Sequence, residues 1–316
     1  MTIASIDLGS NTVLLLIADY NNFSKQVKTI LNQYSAPRVS AGLINGSEIS
    51  KKKISKLENV LKYYLDLAQR YSCQVILCKA TNAFRIASNS QQIISEVLEK
   101  LNLNIEIISG DEEARLTFLG TTYPFKDNKD CTVIDIGGGS TEIICGTNSK
   151  FHFKKSFNVG VVGITEKYFF NNPPLATEVN AAEEFISSVT EEIATSVAPG
   201  IKAFAVAGTP TTLTSIKNNI KIFDENIVDN SILTVEDVIN ISNDLRLLNK
   251  KEVLHKYGQV VEGREDVLFA GCLILYRLMM HLQLNEITVS TKGLRYGSLI
   301  DYLITKDLLK SKKYYY

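Results

Sequence analysis

The sequence predicts two α/β domains of one design, and three observations carry that prediction. A strand, tight turn, strand pattern around "DLGSNT" at residues 7–12 returns around "DIGGGST" at residues 135–141. Asp135 stands 128 residues after Asp7, a spacing that suits duplication of a whole domain and not a solenoid repeat. Each occurrence is followed by a third extended stretch and then by helix and strand in alternation. At 316 residues the chain has the length of two domains of ~100 to 200 residues each.

The elements follow from their residues in order. "IASIDLGSNTVLLLIAD" from Ile3 reads as two strands, because β-branched and aliphatic residues flank a Gly-Ser-Asn turn. "QVKTILNQYS" completes a meander. "SKKKISKLENVLKYYLDLAQRY" carries Ile54, Leu57, Val60, Leu61, Tyr64, Leu65 and Leu67 or Ala68 at helical spacing. Strand "QVILCK", one helical segment from Asn82 to about Leu101, and strand "IEIIS" come next. The order then restarts with "CTVIDIGGGSTEIICG", "KFHFKKSFNVG", a long helix from Thr177 to about Val197, and strand "AFAVAG". The linker is expected near Tyr123 to Lys129, where proline and polar residues interrupt the pattern. This gives domains 1–124 and 125–316, with the last helix, about 303–316, free to pack back on the first domain. "LLKSKKYYY" reads as a helix end and a solvated tail. Facing surfaces of two such domains would form a cleft, a common seat for ligands.

Composition narrows the partners. Thirty-four basic side chains balance 34 acidic ones, so no global field draws in nucleic acid or a membrane surface. Five cysteines, odd in number and without a C-x-x-C pair, fit neither a disulfide framework nor a zinc site, and point to a reducing, cytoplasmic setting. The apolar run Val13 to Ala18 is too short to span a bilayer, and Asp7 precedes it where a signal peptide would carry positive charge.

The chemistry concentrates in the two turns. The glycines at 137–139 match neither G-x-G-x-x-G nor the P-loop spacing, and the residues after them favour a strand where both motifs need a helix. A tight hairpin alone would explain a lone Gly-Gly-Gly. Yet a hairpin needs at most two special backbone positions, whereas Gly137, Gly138, Gly139, Ser140 and Thr141 leave a strip of N–H groups and hydroxyls suited to phosphate oxygens. Asp135 and Glu142 bracket that strip and would repel a phosphate unless a cation lay between, which predicts Mg²⁺, with Mn²⁺ as the other choice. Gly9, Ser10, Asn11 and Thr12 behind Asp7 offer the same chemistry in weaker form. "GTPTT", with Thr209 expected as a cap and Pro210 at the first helical position, aims a helix N-terminus, with Gly208, at the ligand. Ser109 and Glu112 have capping-box spacing, so Glu112 has a structural duty that Glu113, about 100 degrees further round, does not share.

"SIDLGSNT", "ATNAFR", "ISGDEEARLTFLG", "VIDIGGGSTEI", "AVAGTPTTL", "EGREDVLFAG" and "KGLRYGSLIDYL" resemble the successive signatures of the exopolyphosphatase and guanosine pentaphosphate phosphohydrolase family, from Ile3 to about Leu303. The resemblance implies two ribonuclease H-like domains of the actin-like ATPase superfamily around an interdomain cleft. It implies Glu113 as the general base, Asp135 and Glu142 as metal-associated acids with Asp7 beside them, and Arg85 as a phosphate-binding arginine, for which a surface salt bridge is the other reading. Arg264 matches a loop near the family's site. The substrates implied are inorganic polyphosphate or guanosine pentaphosphate, the latter yielding the tetraphosphate, with neither nucleic acid nor membrane as partner and with a homodimer allowed. An actin-like kinase or ATPase, or a non-catalytic sensor of such ligands, stands as the alternative. Leu14 departs from the arginine or histidine of many members, and the length resembles the short, two-domain form.

Overall fold

The computed structural model describes residues 1–123, 129–147 and 151–309. The chain divides into two compact units, Met1–Pro124 with Leu294–Tyr314, and Phe125–Gly293 with Tyr315–Tyr316. Most of the expected linker and the end of the expected tail, residues 124–128 and 310–316, lie outside the described residues.

The first unit begins with β1 (Thr2–Leu8), β2 (Val13–Asn21) and β3 (Gln26–Ser35), then α1 (Lys51–Arg70), β4 (Val75–Ala80), α2 (Asn82–Ile86), α3 (Ser90–Leu101), β5 (Glu106–Ile107) and α4 (Gly110–Thr122). The sheet runs β3-β2-β1-β4-β5. The meander is antiparallel, and β4 and β5 run parallel to β1. The helix expected from Asn82 to Leu101 is two helices. Ala87 is extended between them, and Ser90 Oγ donates to the carbonyls of Phe84 at 2.6 Å and Ala87 at 2.8 Å. The Asn89 side chain is taken by the backbone of Ile49. These short polar side chains bond locally in place of the helix ladder.

The second unit holds β6 (Cys131–Ile136), β7 (Thr141–Gly146), β8 (Phe151–Phe157), α5 (Val161–Tyr168), α6 (Ala176–Thr190), α7 (Ile193–Ser196), β9 (Ala203–Val206), α8 (Gly208–Lys217), α9 (Glu225–Val228), β10 (Ile232–Thr234), α10 (Val235–Leu245), α11 (Lys250–Tyr257), α12 (Leu268–His281) and β11 (Glu286–Val289). The last helix, α13 (Leu294–Thr305), belongs to the first unit. The long helix expected from Thr177 to Val197 stops at Thr190, whose hydroxyl bonds back to the Ile186 carbonyl at 2.7 Å before the short α7 begins. The second sheet runs β10-β11-β9-β6-β7-β8. Taken from its other end, β8-β7-β6-β9-β11 repeats the path β3-β2-β1-β4-β5, the ribonuclease H-like order, with β10 added at the edge.

Side-chain alternation turns this repeat into two matching cores. Ile6, Leu8, Leu15 and Ile17 enter the core that also holds Leu57, Leu61 and Tyr64 of α1. Their counterparts 128 residues on, Ile134, Ile136, Ile143 and Cys145, enter the main core of the second unit with the buried face of α12. On the other face of the first sheet, Ile3, Leu16, Ala18 and Tyr20 pack with Leu119 of α4 and with Tyr296, Leu299, Ile300 and Leu303 of α13. Asp7 has the parity of Ile3, so it lies on the face that α4 covers. Among the described residues no helix is long and apolar enough to cross a membrane.

Candidate active site

The two turns have one backbone design. In the first, Gly9 N–H donates to the Thr12 carbonyl at 2.9 Å; in the second, Gly137 N–H donates to the Ser140 carbonyl at 2.9 Å. The strands leave each turn in the same register, Asp7 opposite Leu14 and Asp135 opposite Glu142. Neighbouring segments take up the turn carbonyls. Arg38 and Ser40 N–H groups donate to Asn11 and Ser10, each at 3.1 Å, and the first N–H groups of α5, from Val161 and Val162, donate to Gly137 at 3.0 Å and Gly138 at 2.8 Å. With the carbonyls held from that side, the N–H groups of Gly138, Gly139 and Ser140 donate to no backbone carbonyl among the described residues. Such a run of backbone donors is an anion-binding concavity. Thr141 is buried and donates its hydroxyl to the Val159 carbonyl at 2.6 Å, so its side chain braces the turn from behind.

Helix α5 is not foreseen at this place from the sequence pattern, although Gly160 marks where it starts. A Cβ there would lie 2.5 Å from backbone atoms of Gly138 and Gly139, so only glycine lets the helix start against the turn.

At the start of α4, Ser109 caps the helix by accepting from Glu112 N–H at 3.1 Å. The reciprocal half of the expected capping box is replaced. The Glu112 carboxylate takes Arg115 in two bonds of 2.8 Å, and Arg115 also reaches Asp301 of α13 at 2.8 Å. Glu113 turns the other way and is buried, only 8% exposed. Arg85 Nη1 donates to Glu113 Oε2 at 2.7 Å and to the Ile108 carbonyl at 3.1 Å. Arg85 is thus part of a largely buried pair with the candidate base, not of a surface salt bridge. Burial pushes the Glu113 carboxyl above its ordinary range, opposed by the Arg85 charge and by hydrogen bonds from Arg85 and Thr81. Thr81, which no sequence motif singles out as a site residue, is buried and also bonds the Leu8 carbonyl, the last residue before the first turn. The structure therefore joins Glu113, Arg85 and the end of β1 in one cluster, on the sheet face that carries Asp7.

Asp135 and Glu142 face each other across β6 and β7, and Glu142 is 1% exposed, with Ser156 Oγ donating to its Oε1 at 2.6 Å. Like charges directly opposite are destabilising, and a divalent cation relieves that. Among the described residues no group of three or more His, Cys, Asp or Glu could hold a metal. Two carboxylates are nevertheless what Mg²⁺ asks of a protein when phosphate oxygens and water complete its shell, so this pair fits that ion. In the first unit Asp7 meets Leu14 where the second has Glu142, so the paired carboxylates occur in only one of the two copies.

The register places Gly208 of the second unit where Thr81 stands in the first, because Asp135 pairs Val206 as Asp7 pairs Lys79. The cap of α8 is Ala207, not Thr209, and Pro210 falls at the third helical position. Ala207 has φ 72° and ψ −166°, a region almost reserved for glycine that costs about 1–3 kcal/mol. The Thr209 side chain packs beside Gly271 of α12, where an added Cβ would come within 2.4 Å of its hydroxyl, so only its backbone is offered to a ligand. The Arg264 guanidinium lies on Gly208, with Nε 2.6 Å from where a Cβ would be, and Nη1 donates to Thr212 Oγ1 at 3.0 Å. A guanidinium on a helix N-terminus, itself partly positive, makes a second place for anionic oxygens.

The chain is similar to several known proteins. A bifunctional 3-dehydroquinate synthase/phosphatase of Fusobacterium nucleatum is 30% identical over 309 residues, 94% of this chain and 46% of that protein. A guanosine-5'-triphosphate,3'-diphosphate pyrophosphatase of Pseudoalteromonas translucida is 29% identical over 95% of this chain and 59% of its own length. This chain thus spans about half the length of these two relatives. Exopolyphosphatase 2 of Mycobacterium tuberculosis is 24% identical over 91% of this chain and 94% of its own. The crystal structure of an Aquifex aeolicus Ppx/GppA protein superposes with a TM-score of 0.82 at 27% identity, over 97% of this chain and 99% of that one. A family-wide profile matches residues 16–306, nearly the whole chain. With both sheets in ribonuclease H-like order and the acid-flanked turns in place, the chain belongs to the Ppx/GppA phosphatase family.

Proposed function

We propose that this protein is a phosphoanhydride hydrolase that removes the terminal phosphate from inorganic polyphosphate, with guanosine pentaphosphate as a second substrate converted to the tetraphosphate. The observation that carries the reading is the buried Glu113, held by Arg85 at the start of α4 on the sheet face of Asp7. The names of the two relatives that act on such anhydrides support the substrate class.

In this reading Glu113 takes a proton from a water molecule as the water oxygen bonds to the terminal phosphorus. The bridging P–O bond breaks, and its electron pair leaves with the shortened chain. In the second unit the backbone donors of Gly138, Gly139 and Ser140 bind phosphate oxygens, and in the first unit Ser10, Asn11 and Thr12 offer similar chemistry. Arg85 Nη1 steadies the base, while its other N–H groups serve the substrate. Gly208, through its backbone, and Arg264 hold further phosphates. Asp135 and Glu142 would hold Mg²⁺, and the ion would supply neutralisation of phosphate charge. Positioning and charge neutralisation supply most of the acceleration in phosphoryl transfer, and a general base adds roughly 10²- to 10⁴-fold.

The test is the purified protein assayed in parallel on short polyphosphate, long polyphosphate, guanosine pentaphosphate and ATP, with and without Mg²⁺ or Mn²⁺. Metal-dependent phosphate release from polyphosphate or guanosine pentaphosphate in the absence of ATP is expected. Transfer from ATP to an acceptor, with neither polymer nor pentaphosphate cleaved, would establish a kinase instead.

A further inference from the structure

We propose that Lys53 is a positioning residue for phosphate at the first turn, its charge carried to the turn through two hydrogen-bonded peptide groups. It does for this turn what the N-terminus of α5 does for the second. The inference rests on the reading of Ser10, Asn11 and Thr12 as phosphate donors.

In the second unit, the N–H groups of Val161 and Val162, at the positive end of α5, take the carbonyls of Gly137 and Gly138. Those carbonyls share peptide groups with the N–H of Gly138 and of Gly139. A peptide that accepts a hydrogen bond at its oxygen is polarised and becomes a stronger donor at its nitrogen. The helix behind the turn therefore strengthens the donors in front of it. The first turn has matching bonds, from Ser40 N–H to Ser10 and from Arg38 N–H to Asn11, each at 3.1 Å. These donors, however, belong to the loop between β3 and α1 and not to a helix. Arg38 there has φ 54°, a left-handed conformation that is costly for a residue with a Cβ. Such a loop needs something to hold it.

Lys53 supplies both the hold and the charge. Its ammonium donates to the Ala41 carbonyl and, at 3.5 Å, to the Val39 carbonyl, from the residues on either side of Ser40. The Val39 carbonyl and the Ser40 N–H are one peptide group; the Ser10 carbonyl and the Asn11 N–H are another. A line thus runs from Lys53 through Val39–Ser40 and Ser10–Asn11 to the Asn11 N–H, each peptide accepting at oxygen and donating at nitrogen. A full charge acts on the Val39 carbonyl even across a long bond, the more so because Val39 and Ser40 are 1% and 8% exposed. Helix α1 gives Lys53 no reason of its own to be there. It is the third residue of the helix, where a glutamate would complete a capping box behind Ser50, and a cation in a first turn opposes the helix dipole. Lys51 and Lys52 are exposed, whereas Lys53 is half-buried.

The experiment compares wild type, K53M, K53Q, K53R and K52M, after thermal melts establish that each is folded. It reads kcat and KM on polyphosphate with saturating Mg²⁺, and the Kd of tripolyphosphate by calorimetric titration of the same proteins in an E113Q background. K53M and K53Q are expected to raise KM and Kd about 5-fold, with kcat within about twofold. K53R, which keeps the charge, should stay near wild type. K52M, which removes the same charge from an exposed neighbour, should change neither constant. K53Q keeps a hydrogen-bond donor and carries the test should K53M not fold. Wild-type KM and Kd in K53M or K53Q, a loss confined to kcat, or a K52M or K53R protein as impaired as K53M, overturns the proposal. If the protein with Lys53 in place neither binds tripolyphosphate nor releases phosphate, the phosphate reading falls and this role with it. Binding and turnover that K53M and K53Q leave unchanged remove the role of Lys53 alone.

Discussion

Glu113 is subject to opposed influences, and their balance has a measurable sign. Desolvation raises its carboxyl above the usual 4.5, while Arg85 at 2.7 Å and the Thr81 hydroxyl act the other way. A base must be ionised, so activity should appear as pH rises through that raised value. The acid limb of kcat/KM is therefore expected above the ordinary carboxylate range, and R85A, which deletes the opposing charge, should move it higher still while also raising KM; a limb that falls or stays put in R85A would show that the ion pair does not set it. The folded protein holds this proton to higher pH than the unfolded chain does, so the contribution of Glu113 to stability declines as pH rises through the shifted value. At this scale the sequence was legible where two neighbouring acids had separable duties. Ser109 and Glu112 account for the cap, which left Glu113 over, and the structure buries it. Thr81 was not legible, because a threonine before a helix reads as a cap and only tertiary packing shows its hydroxyl turned away. Thr209 misled for the same reason in reverse: it has cap chemistry, but α12 takes its side chain and Ala207 holds the cap position.

Elements position the backbone proposed to bind phosphate, and α5 has the clearest part in it. Its first N–H groups hold the carbonyls of Gly137 and Gly138, and Gly160 permits an approach that a side chain forbids. Gly160 has φ −144°, which any residue adopts, so space and not backbone freedom is the reason for glycine. G160A should destabilise the second unit by about 1–3 kcal/mol through overpacking against backbone that has no rotamer to change. It should also weaken phosphate binding at the turn. Differential scanning calorimetry and KM for polyphosphate check both, and a variant with wild-type melting and KM would mean that α5 does not shape the turn. The strands were legible because alternation and turn residues announce them, and α1 buries the stripe its spacing marks. Helices α2 and α3 were read as one because helical spacing resumes at Ile93 after the break, while the interruption is made by bonds from Asn89 and Ser90 to partners the pattern does not show.

At the scale of the whole molecule, the duplication explains the likeness between the copies. Leu8 and Ile136 end equivalent strands, and Gly9 and Gly137 open equivalent turns with the same 2.9 Å bond. Each copy then carries its own candidate residues: Glu113 and Arg85 in the first, and Asp135, Glu142 and Arg264 in the second. The repeat was visible in the sequence because the turns fall at a constant offset. The strand order β10-β11-β9 and the packing of α12 were not, because their contacts join residues far apart in the chain. Activation of water by Glu113 is the step on which the proposed chemistry turns. The most direct measurement is phosphate release from polyphosphate by wild type and by a folded E113Q protein in the presence of Mg²⁺, with ¹⁸O-labelled water as the source of the incoming oxygen. One label per phosphate released is expected for wild type, and a rate roughly 10²- to 10⁴-fold lower for E113Q. Turnover by E113Q at the wild-type rate, or released phosphate without label, would contradict a water-activating role for Glu113.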